Sequence, residues 1–451
     1  MAVVAFGLMA GVLPGGSFVV AIPALLNTFH ATQGEGQLVM TIFMVTNTIA
    51  MLPTPWLIQR FGMRNCFLWS MVLLVATSIF GALSPSFSIL VLARALQGAV
   101  TGTLMPMSSI VVMRLFEPKD RGRAAGLMGL AVTLAPAIAP TIGGLMVDHW
   151  GWRSVSLMPL PLCVFAWIAA MRYLPVVGET EKHSFDVVGM VLLSLLTLAW
   201  LSTASNFAAK GGPHFWFFVS LLILLLVVVA FLRHARRHAN PLISLAVLRK
   251  RRVAMGAIVS FVQGFGMYGL AYLVPVYFQV ALGLSATRAG AALMPGTLAL
   301  ALSLPVAGFL LDLYSPRQVI GAGLVIFSLS WLALGSYGQH FSYAVFVLVL
   351  VLSRIGLGFV NAPLNPATLH GLQGIALSQA STLVGYVLQL GGVFGIAVLA
   401  GFIGWRTTQG GALTQVQAYG EAFLLVALIS AASIAAVWFL NDASSEKSPT
   451  L

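Results

Sequence analysis

Long apolar runs alternate with short polar or basic interruptions along the whole chain, and none shows the polar–apolar alternation of a membrane barrel strand. A helix needs about 20 mainly apolar residues to cross a hydrocarbon core of ~30 Å. On that measure the sequence predicts fourteen spans, at 2–26, 38–58, 66–83, 88–113, 124–147, 153–174, 187–206, 215–232, 253–281, 288–311, 318–337, 342–367, 374–403 and 419–440. The first run, MAVVAFGLMAGVLPGGSFVVAIPALL, has no basic leader and no clear small-residue cleavage site. It reads as a span rather than a removable signal. So little hydrophilic sequence precedes it that the natural start is expected upstream. The predicted fold class is an all-α polytopic membrane protein with 14 transmembrane helices.

The pattern also repeats. Arg94 is followed by Gly98 and Pro106, and Arg354 by Gly358 and Pro366, at the same spacings in the fourth and twelfth spans. Repeated bundles are a common construction of secondary transporters. The expected organisation is a six-helix bundle over 1–174, two linking spans and a basic cytoplasmic loop over 175–252, a second six-helix bundle over 253–440, and a tail over 441–451. Lys and Arg set the orientation. With the N-terminus inside, 17 of the 23 fall on the inner side, four on the outer side (Arg153, Lys210, Arg288, Arg406), and Arg94 and Arg354 within spans. Both termini are then cytoplasmic, and the expected location is a bacterial inner membrane.

Composition excludes the other classes. Apolar residues make up 59% of the chain and charged residues 8%, against roughly 25% charged in soluble domains. The net charge of +12 suggests nucleic acid only until its distribution is seen, because the basic residues punctuate apolar runs instead of covering one face. Two cysteines, Cys66 and Cys163, leave no disulfide framework and no cysteine metal site. The eleven acidic residues and eight histidines all fall in loops or at span ends. No cluster suited to metal binding or nucleophilic catalysis is legible. An enzyme is not expected, nor a cofactor, a metal or a nucleic-acid partner. The expected partners are a small-molecule substrate and the bilayer, and the expected state is a monomer.

Candidate chemistry therefore centres on Arg94 and Arg354. An arginine within a span is costly and normally faces a cavity or a partner. Each has two readings that the residues leave open: a clamp on carbonyls and amides, or a cavity group meeting an anionic or polar substrate. Gln97, Asn361, Asn365 and Gln389 are the polar neighbours expected with them, and amides in spans also join helices to one another. The fifth span, GLMGLAVTLAPAIAPTIGG, carries Pro136, Pro140, Gly143 and Gly144. Proline removes a helix hydrogen bond and small residues admit a close neighbour, so this span is either a bending element or a tightly packed one. Gly385, Gly391, Gly392 and Gly395 give the thirteenth span a second small-residue face. Tyr268, Tyr272 and Phe278 either line a substrate path or pack.

On these residues the chain resembles the major facilitator superfamily, and within it the fourteen-span drug:proton antiporter branch, over essentially its whole length. LARALQG (92–98) is similar to the motif whose arginine, here Arg94, the family links to proton coupling. Ala135 to Gly144 resembles the antiporter motif, intact at Pro140, Gly143 and Gly144, with Ala135 and Ala139 in place of two usual glycines. Trp150, Trp152 and Pro159 match the entry to span six. YFQVALGLSATRAGAALMPG (277–296) is the most branch-specific match, at Gln279, Gly283, Ser285, Ala289, Gly290 and Pro295. The loop after span two resembles a conformational latch, keeping Arg60, Gly62 and Arg64 but with Pro55 and Gln59 where the family has Gly and Asp. Its second copy keeps Gly308, Asp312 and Arg317, so Asp312 inherits the acidic role.

The resemblance implies a secondary active transporter exporting amphipathic, drug-like molecules by alternating access, with the proton gradient as energy source. One departure qualifies this. In span one, LPGGSFVVAIP (13–23) has Pro14 and Val19 where the branch tends to carry Asp and Asn. With no carboxylate in any span and two arginines in them, neutral or anionic cargo is expected over cations. Any proton carrier must then be peripheral, at Asp312, Glu35 or Asp148. The alternatives are an uncoupled facilitator or metabolite exporter on the same fold, and a non-transporting sensor or scaffold, which would be expected to lose the mobile Gly and Pro features.

Overall fold

The computed structural model describes residues 2–115, 135, 138–174, 185–209, 214–238, 241–243, 245–337, 342–370, 372, 374–408 and 415–439. Among them there is no strand, and twelve helices are long and apolar enough to cross a membrane. In chain order the helices are α1 (Ala2–Phe29), α2 (Gln33–Met51), α3 (Thr54–Phe61), α4 (Met63–Ala82), α5 (Phe87–Leu115), α6 (138–150), α7 (Trp152–Leu157) and α8 (Leu160–Tyr173). There follow α9 (Val187–Ala209), α10 (Phe215–Arg237), α11 (Leu245–Leu248), α12 (Arg251–Val276), α13 (Ala286–Leu313), α14 (Pro316–Tyr337), α15 (Tyr343–Leu369), α16 (Gly374–Thr408) and α17 (Gln415–Val437).

Two expected spans differ in detail. The run 38–58 does not form one helix: α2 ends at Met51 and α3 begins at Thr54, because Pro53 and Pro55 lack the N–H that would continue the ladder. The start of α2 is fixed by a capping box. Thr32 Oγ1 accepts from the Glu35 backbone N–H while the Glu35 carboxylate accepts from the Thr32 N–H at 2.6 Å. These bonds, the backbone one foremost, hold the Glu35 carboxyl below its ordinary value. The predicted span 124–147 is described only from its later part, in α6. Past Pro275, α12 runs into a single π-helical turn over Tyr277–Ala281, and Gly283, at φ +65°, supplies the left-handed backbone that ends it.

The chain divides into two compact units. One comprises Met1–Leu198 with Val274–Met294, the other Ala199–Leu273 with Pro295–Leu451. In the first, Val4 and Leu8 of α1 bury against Phe67, Met71 and Leu74 of α4, Leu104 and Met107 of α5, and Cys163 and Ala166 of α8. In the second, Val259 of α12, Ile320 and Leu324 of α14, Val360 and Leu364 of α15 and Val437 of α17 form a core. Trp200 of α9 stacks with Phe261 and Phe394.

Apolar area cannot by itself hold helices together in lipid, since the tails are as apolar as leucine; close backbone contact at small residues does much of that work. A Cβ added to Gly98 or Gly102 of α5 would run into the backbone oxygens of Phe43 or Asn47 of α2. The same holds for Gly391 and Gly395 of α16 against Phe261 and Phe265 of α12, and for Gly323 and Gly356 against one another's helices.

Gly391→Ala is expected to lower the stability of the purified protein by about 1–3 kcal/mol through overpacking. Gly321→Ala, where an added Cβ meets open space, is expected to leave it unchanged or raise it by up to about 1 kcal/mol, as helix propensity dictates. Thermal melts of the two variants side by side check the pair.

Candidate functional site

Arg94 lies one turn along α5 from Gly98, and the close approach that Gly98 permits is what brings α2 over it. Its side chain is 1% exposed. Nε donates to the Val39 carbonyl of α2 at 3.4 Å and Nη1 to Gln97 Oε1 at 2.5 Å. Gln97 Nε2 in turn donates to Ser78 Oγ of α4 at 3.0 Å. The guanidinium carbon sits 4.2 Å from the ring centroids of both Phe18 of α1 and Phe43 of α2. Two aromatic faces thus replace part of its hydration. Nη2 has no hydrogen-bond partner among the described residues, and no carboxylate reaches the group among them. A guanidinium carries five donors and stays protonated, so the cradle leaves a desolvated cation with donor capacity to spare.

The second unit repeats the scaffold. Gly358 meets Ser303 and the Leu300 carbonyl of α13 as Gly98 meets Thr46 and the Phe43 carbonyl of α2, and Arg354 lies against Gly296 as Arg94 lies against Val39. The contacted positions 39, 43, 46 and 296, 300, 303 share one spacing, four and then three. The chemistry is not repeated: Arg354 is half-buried and has no hydrogen bond among the described residues. The predicted amides are dispersed. Asn361 accepts a short hydrogen bond from Gln263 of α12, Gln389 bonds the Tyr268 hydroxyl, and Asn365 is exposed. Gln263, 5% exposed, was not singled out from the sequence, although an amide inside the apolar run 253–281 was signal enough. The two rings over Arg94 had no such signal.

The antiporter-motif helix presents two faces. Ala135, Ala139 and Gly143, four residues apart and so on one side of a helix, lie on α1: the alanines pack with Leu13, and Gly143 approaches Ser17 and Val20. Pro140 and Gly144, one step round, meet the start of α13, where added Cβ atoms on Gly290 and Gly144 would run into the Pro140 and Ala286 carbonyls. Thr141 Oγ1 donates to the Gly290 carbonyl at 3.2 Å. At the end of α6, Asp148 accepts from the Thr287 N–H at 3.0 Å and from its hydroxyl, while Ser285 Oγ accepts from the Arg288 N–H at 3.3 Å. Two orphan donors of the α13 N-terminus are thereby satisfied. Pro136 lies outside the described residues.

Of the latch residues, Arg60 is exposed, Gly62 turns the chain from α3 to α4 at φ +80°, and Arg64 Nη2 donates to the Met171 carbonyl at 2.6 Å. Gly308 faces open space and Arg317 lies over the Trp438 ring. The side chain of Asp312 lies outside what is described.

A family model for the Major Facilitator Superfamily matches residues 4–396 and again 257–451. The chain belongs to that superfamily. As a member it is a multi-pass membrane transporter by class, with relatives among multidrug-resistance proteins. It is 26% identical to the MFS-type transporter YcnB of Bacillus subtilis over 96% of this chain and 93% of that one. It is 28% identical to a multidrug resistance protein B homolog of Mycobacterium tuberculosis, over 82% and 70%, and 25% identical to the putative multidrug resistance protein MdtD of Salmonella typhi, over 89% and 85%. Its fold is that of a crystal structure of a bacterial homolog to the human lysosomal transporter Spinster in an inward-facing, unoccupied conformation, with a TM-score of 0.70 at 15% identity, covering 100% of this chain and 98% of that one.

The facilitator's α6–α13 seam can be probed through its cap. Asp148→Ala is expected to destabilise the protein by about 0.5–2 kcal/mol, the range for losing a helix cap. Asp148→Asn, which keeps an acceptor oxygen, is expected to cost less. Melting temperatures of Asp148→Ala, Thr287→Val and the double variant should be non-additive, since the pair shares one interaction.

Proposed function

We propose that this transporter exports neutral or anionic amphipathic small molecules by alternating access in exchange for protons. In this reading it spans a bacterial inner membrane fourteen times with both termini cytoplasmic, acts as a monomer, and uses no cofactor beyond the gradient. The observation that carries it is the Arg94 cradle: a buried cation with an unused donor and no carboxylate beside it. An acidic or strongly accepting group would complete that shell, whereas a cationic drug would add a second charge of the same sign. The multidrug-resistance names of several relatives support drug-like cargo.

The uncoupled facilitator is kept as a second reading by one specific observation, the carboxylate-free spans, with Pro14 at the usual Asp position. Two peripheral carboxylates also have structural employment, Glu35 in its capping box and Asp148 on Thr287. Proton exchange would then have to draw on these or on Asp312.

Everted vesicles loaded with a panel of anionic, neutral and cationic amphiphiles test both readings, with and without an imposed proton gradient. Gradient-driven transport of anions or neutral compounds is expected. Arg94→Ala should reduce it roughly tenfold or more, equivalent to about 1.4 kcal/mol in the limiting barrier. Arg94→Lys should not restore it, because an ammonium lacks the planar face that fills the space between two rings. Export of quaternary ammonium dyes without anions would overturn the cargo assignment. Equilibration indifferent to the gradient would establish the facilitator instead.

A further inference from the structure

Four helix ends of the second unit converge just beyond its core of Val259, Ile320, Leu324, Leu364 and Val437. Arg251 opens α12, Arg317 lies in the first turn of α14, His370 follows α15, and Trp438 and Phe439 follow α17. The Arg317 guanidinium carbon lies 4.0 Å from the Trp438 ring centroid and that of Arg251 4.4 Å from Phe439. Arg252 reaches His370 Nδ1 at 3.1 Å. Arg249 and Lys250 are exposed immediately before them. Trp438 and Phe439 are themselves open, at 64% and 47%. Among the described residues no carboxylate pairs with any of these basic groups.

We propose that this arrangement is a binding site for a phospholipid with a net-negative headgroup. A guanidinium stacked on a ring through its face keeps its N–H edge free, and that edge is the one that grips phosphate in a fork. The rings hold each arginine in place while their own apolar surface faces the acyl region, and an indole prefers the headgroup level of a bilayer. Two forks side by side with further positive charge behind them suit a phosphodiester without a compensating ammonium. A zwitterionic headgroup would bring its cation into the arginines. Clusters of this kind next to a membrane span attract anionic lipid. The proposal concerns lipid binding and is independent of what the protein transports.

The test uses the full chain reconstituted in phosphatidylcholine nanodiscs containing a minor fraction of brominated phosphatidylglycerol or, in parallel, brominated phosphatidylcholine. Quenching assigned to Trp438 is taken as the difference between wild type and Trp438→Phe. The expected result is several-fold stronger quenching by the phosphatidylglycerol. That preference should fall about fivefold for each of Arg251→Gln and Arg317→Gln and should weaken with added salt in the wild type, a measurement that needs no variant to fold. Equal quenching by the two lipids overturns the proposal, as does an unchanged preference in variants that elute and melt like the wild type. Loss of the preference on adding millimolar inorganic phosphate at constant ionic strength also overturns it, because the site would then be one for a free anion.

Discussion

Helices in hydrocarbon satisfy their own backbones and gain nothing from burying leucine against leucine, so what joins them must be contact close enough for dispersion and dipoles to act. In this protein that contact is made where a glycine of one helix lies on a carbonyl of the next, at Gly98 on Phe43, Gly358 on Leu300 and Gly391 on Phe261. The functional geometry follows from it. Gly98 brings α2 over α5, and only because α2 lies there do Phe43 and the Val39 carbonyl reach Arg94. A larger residue at 98 would act on the arginine without touching it.

The two units share a scaffold and differ in what it holds. Arg94 is enclosed, stacked and hydrogen-bonded, whereas Arg354 occupies the equivalent place half-buried and unbonded. A repeat that preserves helix contacts but not polar contacts suggests that packing constrains the sequence more tightly than site chemistry does. The polar groups of the second unit instead pair locally, Gln263 with Asn361 and Tyr268 with Gln389.

The helical class, the apolar runs and the repeated Arg–Gly–Pro spacing were legible because they are local or periodic. Arg94 with Gln97 was legible too, since three residues along a helix place side chains together. The rings over Arg94 were not, because Phe18 and Phe43 lie on other helices and look like any lipid-facing phenylalanine. The break of the second span at Pro53 was written in the sequence but masked by the apolar residues around it. The role of Asp148 was invisible for a different reason: its partner, Thr287, lies 139 residues away, and a terminal aspartate has many possible uses.

That cap bears on biogenesis. Val274–Met294 is synthesised after both linking helices, yet it belongs to the compact unit begun at the N-terminus. The first unit is therefore unfinished when the basic loop leaves the ribosome, and the Asp148 carboxylate waits for a helix end still to be translated. Severing the chain in that loop, the natural place to separate two halves of a repeat, would divide a folding unit rather than liberate two.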